Sequence, residues 1–95
     1  SSPAYVFMFI EALADGAVAL GMPRKQAYAF AAQAVAGSAE MVLKTGLHPG
    51  ELKDSICSPG GATIDAVEAL EQKGFRSAVM AAVRAAADKA ASMTK

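Results

Sequence analysis

The residues best suited to chemistry are Ser58-Pro59-Gly60-Gly61-Ala62-Thr63, a turn that runs directly into an apolar-periodic segment opening at Ala62. A helix that starts there presents backbone N–H groups without carbonyl partners, together with the positive end of the helix dipole. Gly60 and Gly61 keep side chains out of the space an anion would enter and permit positive φ. The N–H groups of Gly61, Ala62 and Thr63 can converge on a carboxylate, with the Thr63 hydroxyl as a further donor or acceptor. The same residues also make an ordinary turn before a helix, and spacing alone leaves both readings open.

The other reactive side chains are scattered. His48 is the only histidine, so one chain contains no His-based metal cluster or dyad; before Pro49 it reads as a residue that orders a turn. Glu11 and Asp15 stand four apart on a mostly apolar helix. They are expected to meet Arg or Lys from a neighbouring helix or subunit rather than to act as an acid–base pair. Lys53-Asp54 and Glu68, Glu71 and Lys73 read as solvated faces. Arg76, following Gly74-Phe75, is expected to anchor the start of the last helix. The five Met residues fall at apolar spacings and read as packing; no metal site is expected.

These residues must be positioned by helices. Nothing alternates as a strand would, and Ala fills roughly a quarter of the positions. Ser2-Pro3 is a start signal for a helix to about Leu20, stopped by Gly21. Val6, Ile10, Leu13, Ala17 and Leu20 fall on one stripe of it, with Phe7, Phe9 and Val18 off the stripe. Pro23 opens a second helix to about Lys44, with Tyr28, Ala31, Val35, Ala39 and Val42 in register and Gly46 suited to a left-handed cap. Glu51 to about Cys57 is long enough for two turns. Helix resumes from Ala62 to Lys73 with Ile64, Ala66, Val67 and Leu70 inward, and Gly74 closes it. A last helix runs from Arg76 or Ser77 to about Ser92, with Val79, Val83, Ala86 and Ala90 on one side and Arg84, Asp88 and Lys89 outward. Met93 to Lys95 is expected to fray. The fold class is all-α, a bundle of about five helices.

Composition sets the outer limits. The chain is 54% hydrophobic, with a mean hydropathy of +0.30. A single small domain has too little interior to hide that much apolar surface, so a second copy related by a two-fold axis is expected. Nine basic residues balance nine acidic ones and Trp is absent, which argues against nucleic acid as a partner. Charge-free runs fall well short of the ~18–20 apolar residues that span a bilayer, so no membrane is expected. No basic leader precedes an apolar stretch, and the single Cys57 fits a reducing compartment, which makes the expected setting cytoplasmic. The Ser1-Ser2-Pro3 opening is expected to be a cut from a longer chain.

Four stretches resemble a known family. They are Ser2-Pro3-Ala4-Tyr5 with Glu11-Ala12-Leu13-Ala14-Asp15-Gly16-Ala17; Gly21-Met22-Pro23-Arg24; His48-Pro49-Gly50-Glu51-Leu52-Lys53-Asp54 leading into Ser58-Pro59-Gly60-Gly61-Ala62-Thr63; and Gly74-Phe75-Arg76. In that order they are similar to the C-terminal dimerisation domain of pyrroline-5-carboxylate reductases, along nearly the whole chain. The resemblance implies a two-domain enzyme in which an N-terminal Rossmann domain binds NADP or NAD. The helical domain interlocks with its twin as a homodimer or as part of a larger assembly. The enzyme would reduce 1-pyrroline-5-carboxylate to L-proline in proline biosynthesis.

Carried onto this chain, the resemblance makes Ser58, Gly61, Ala62 and Thr63 the substrate-binding residues. Gly61, Ala62 and Thr63 supply backbone donors to the carboxylate, Ser58 shapes the loop, and the Thr63 hydroxyl orients the substrate imine with no covalent role. Ile56 and Cys57 lie beside the nicotinamide, and Cys57 takes no catalytic part. The cofactor carries the reaction, so no nucleophile is demanded, and the Thr63 hydroxyl is too weak an acid to be the sole proton source. The chain has no Gly-x-Gly-x-x-Gly after a strand, so by itself it is expected neither to bind the dinucleotide in the usual way nor to turn over. Two rival readings remain at this level. One is a free-standing helical dimerisation module without ligand, and the other is a small bundle that holds apolar molecules.

Overall fold

A computed structural model of the chain describes residues 1–93. It contains α1 (Ser2–Ala19), α2 (Arg24–Thr45), α3 (Pro49–Ile56), α4 (Ala62–Gln72) and α5 (Phe75–Met93), with no strand among the described residues. The all-α expectation of about five helices holds. Of the expected frayed end, Met93 completes α5, and residues 94 and 95 lie outside the described residues.

Local chemistry explains the helix ends. Gly46 sits at φ 68° as the left-handed cap of α2, its N–H donating to the Val42 carbonyl at 3.1 Å. The Thr45 hydroxyl donates to the Met41 carbonyl at 2.6 Å and accepts the Leu47 N–H at 3.2 Å. α3 begins two residues earlier than expected, at Pro49, whose ring fixes a helical φ where an N–H has no carbonyl to reach. α5 likewise starts early, at Phe75, because Gly74 turns the chain at φ 75° and its carbonyl accepts the Ala78 N–H at 2.9 Å.

The chain divides into two compact units, Ser2–Pro49 and the residues from Gly50 onward. In the first, α1 and α2 form a hairpin through Gly21 at φ 108°, with the Gly21 and Met22 N–H groups bound to the Val18 and Ala17 carbonyls. Its core is Ala14, Ala27 and Ala31, with Ile10, Ala17, Val18 and Met22 packed against them. The expected stripe on α1 holds at Ile10 and Ala17 and fails elsewhere. Val18 turns inward, while Val6 and Leu13 are exposed and Leu20 is 92% exposed. Of the row read on α2, Ala31 is buried and Val35 and Val42 are half-buried, whereas Tyr28 and Ala39 are exposed, and Ala27, outside that row, is buried. The two helices meet where side chains are smallest, so alanines rather than the bulkiest residues define the contact.

In the second unit α4 packs on α5, and the expected interior is again thinner than foreseen. Val67, Ala82 and Ala86 are half-buried, whereas Ile64, Ala66, Leu70, Val79, Val83 and Ala90 are exposed. Arg76 Nε donates to Glu71 Oε1 at 3.0 Å across the Gly74 turn, the anchoring role expected of it.

No large side chain among the described residues is fully buried, and the accessible surface is 7431 Å². Even two separate compact globules of half the mass each would together expose only about 6200 Å². The apolar excess foreseen from composition is therefore real in the single chain. It is spread over α1, α2 and α5, and α1 is the most apolar of them: Ser2–Ala19 has a mean hydropathy of 1.2 over 18 residues, and by length and composition alone it is long and apolar enough to cross a membrane. The expectation that no such stretch exists holds only for charge-free runs, since this window includes Glu11 and Asp15.

Candidate functional site at the start of α4

The corner between α3 and α4 lies wholly within the second unit. α3 ends with the Cys57 N–H on the Asp54 carbonyl at 3.2 Å, while the Ser55 hydroxyl donates to the Leu52 carbonyl at 2.6 Å. Gly60 then takes φ 70°, a left-handed conformation that glycine adopts without a Cβ penalty. The Gly61 N–H returns to the Ser58 carbonyl at 3.1 Å and closes the turn. Gly61 is the N-cap of α4 in an extended conformation, φ −83° and ψ 173°, and no side chain caps the helix.

Two details correct the sequence reading. Gly61 does not use positive φ, which is needed at Gly60 alone. Its surroundings favour a small residue for another reason: a Cβ there would lie 2.6 Å from Ser58 Oγ and 3.3 Å from the Ser58 carbonyl oxygen, so Ser58 would have to give way. The Gly61 N–H, expected to point at a ligand, is engaged within the turn. The donors that the uncapped helix start presents are then those of its first turn, Ala62 and Thr63 with Ile64 behind them, all in exposed residues.

The turn brings the sequence-assigned residues onto one corner. Ser58, Ala62 and Thr63 are exposed and Gly61 is half-buried; on the α3 side, Ile56 is 67% exposed and Cys57 is a free, half-buried thiol. Positive helix-end potential, free first-turn amides and the Thr63 hydroxyl are features that suit an anion.

The remaining candidates are engaged in contacts of their own. Arg24 donates from Nη1 to Asp15 Oδ1 at 2.7 Å and lies 5.8 Å from the Tyr28 ring centroid, so Asp15 meets a cation from the neighbouring helix as expected. The hydrogen bond to Asp15, and secondarily one to Tyr28, raises the Arg24 pKa. Lys53 and Asp54 form an exposed ion pair at 3.4 Å. Among the described residues no three of His, Cys, Asp and Glu converge as metal ligands. The sequence reading missed a shallow furrow along α5 lined by Val79, Met80, Val83, Arg84 and Ala87. Its signal was the spacing of those residues on one helical face, with Arg84 contributing to the furrow wall.

Residues 1–93 match the family model described as pyrroline-5-carboxylate reductase dimerisation. The chain belongs to this family. It is 66% identical over 95 residues to pyrroline-5-carboxylate reductase of Escherichia coli K12, and 54% identical over 95 residues to that of Arabidopsis thaliana. These alignments take in 100% of the chain but only 35% and 34% of the respective relatives, so the chain spans about a third of their length. Among solved structures, it is similar to a Streptococcus pyogenes 1-pyrroline-5-carboxylate reductase, with a TM-score of 0.91 and 40% identity over 94% of this chain and 34% of that one. A Plasmodium falciparum pyrroline carboxylate reductase with NADP bound gives a TM-score of 0.89 at 43% identity, over 93% of this chain and 34% of that one.

Proposed function

We propose that this chain is the dimerisation and substrate-binding part of a pyrroline-5-carboxylate reductase, which reduces 1-pyrroline-5-carboxylate to L-proline. The observation that carries the reading is the uncapped start of α4 behind the tight Ser58–Gly61 turn, in a chain of this family. The N–H groups of Ala62 and Thr63 hold the substrate carboxylate, aided by the helix dipole. Ser58 and Gly61 set the position of those donors by filling the turn beneath them. The Thr63 hydroxyl orients the ring nitrogen of the imine.

Fixing the carboxylate also fixes the imine carbon, a contribution of proximity and orientation. NADP(H) or NAD(H), when bound, supplies the hydride for the C=N carbon. The nitrogen gains its proton from water or enters already protonated, because an alcohol such as Thr63 is too weak an acid to provide it alone. Ile56 and Cys57 form the edge of the pocket nearest the nicotinamide. These 95 residues include no Gly-x-Gly-x-x-Gly cradle for the pyrophosphate, so a separate Rossmann domain binds most of the dinucleotide.

The exposed apolar face of α1 is covered by a second copy of the chain, in a homodimer or an assembly built from it. A bilayer is the poorer partner for this helix, since it would have to accept Glu11 and Asp15, the latter paired with Arg24. We place the protein in the cytoplasm, a setting in keeping with its one unpaired cysteine.

The test is to join the chain to the dinucleotide-binding domain of a related reductase and measure proline formation. The joined protein is expected to turn over and to lose activity with Gly61→Val. A cofactor-binding hybrid that kept its full rate with Gly61→Val would overturn the assignment of the site.

A further inference from the structure

We draw no further inference here: the strongest candidate, the shallow apolar furrow along α5 lined by Val79, Met80, Val83, Arg84 and Ala87, carries nothing beyond the pairing with a second copy already proposed, because nothing in the structure shows what covers it.

Discussion

Replacing Gly61 with alanine is a small change whose consequence follows from the turn. The backbone at φ −83° and ψ 173° accepts alanine without strain, so any effect must come from contact. The added methyl would sit 2.6 Å from Ser58 Oγ, where ordinary contact begins at 3.4 Å, so something must yield by about 0.8 Å. Ser58 Oγ ends an exposed side chain and turns aside for part of this, so a few tenths of an ångström, shared with the carbonyl oxygen at 3.3 Å, reach the turn and the donors beyond it. A misplacement near 1 Å costs about 10²-fold in rate, so a few tenths of an ångström in the joined two-domain protein should lower kcat/KM of Gly61→Ala by about three- to fivefold. Ser58→Ala removes the obstructing oxygen, so the double variant should recover most of the loss relative to Ser58→Ala alone. Steady-state proline formation by the four proteins gives the coupling directly. A Gly61→Ala variant within twofold of the parent, or a double variant showing no coupling, would refute the reasoning.

Thr63→Ala should raise KM for 1-pyrroline-5-carboxylate or lower kcat by roughly fivefold, the worth of a single hydrogen bond near 1 kcal/mol, with Thr63→Ser restoring most of it; unchanged kinetics would remove the hydroxyl from the site. Phe7 is 65% exposed in the single chain, and an exposed residue tolerates change within about ±0.5 kcal/mol. If a second copy covers it, Phe7→Asp should instead convert a dimer to monomer or unfolded chain in sedimentation velocity, and an intact dimer would exclude Phe7 from the interface. Gly46→Ala places a Cβ at φ 68°, so it should destabilise the protein by about 1 kcal/mol in thermal denaturation, and an unchanged Tm would contradict the left-handed cap. The 95-residue chain alone should not oxidise NADPH in the presence of substrate, and measurable turnover would show that it binds the dinucleotide by itself.

The helix ends were legible in the sequence because their causes are local. Gly21, Gly46 and Gly74 all adopt positive φ where a stop was expected, and Pro49 extends α3 for a reason its ring geometry contains. The inward faces were far less legible. In helices this rich in alanine, a stripe drawn by spacing found Ile10 and Ala17, which pack on the core, but also Val6, Leu13 and Leu20, which are exposed, while the α1–α2 contact centres on Ala14, Ala27 and Ala31. The choice depends on which small residues allow close approach from the other helix, and one helix read alone does not contain it. Much of the remaining apolar surface has no partner within one chain, so the inward placing of Ile64 and Leu70 failed, and Val79 and Val83, read as one side of α5, are exposed.

At the candidate site, the turn and the helix start could be read from Ser58 to Thr63. The division of labour between the glycines could not, since it depends on where the Ser58 side chain and carbonyl lie in space. Glycine in sequence signals either positive φ or close packing; here Gly60 answers to the first and Gly61 to the second.

The most direct measurement is a crystal structure of the joined, dimeric protein with L-proline bound. The proline carboxylate is expected within about 3.2 Å of the Ala62 and Thr63 amide nitrogens, with the ring facing Ile56. A carboxylate held elsewhere, with a side chain filling the space ahead of Ala62 and Thr63, would contradict the account.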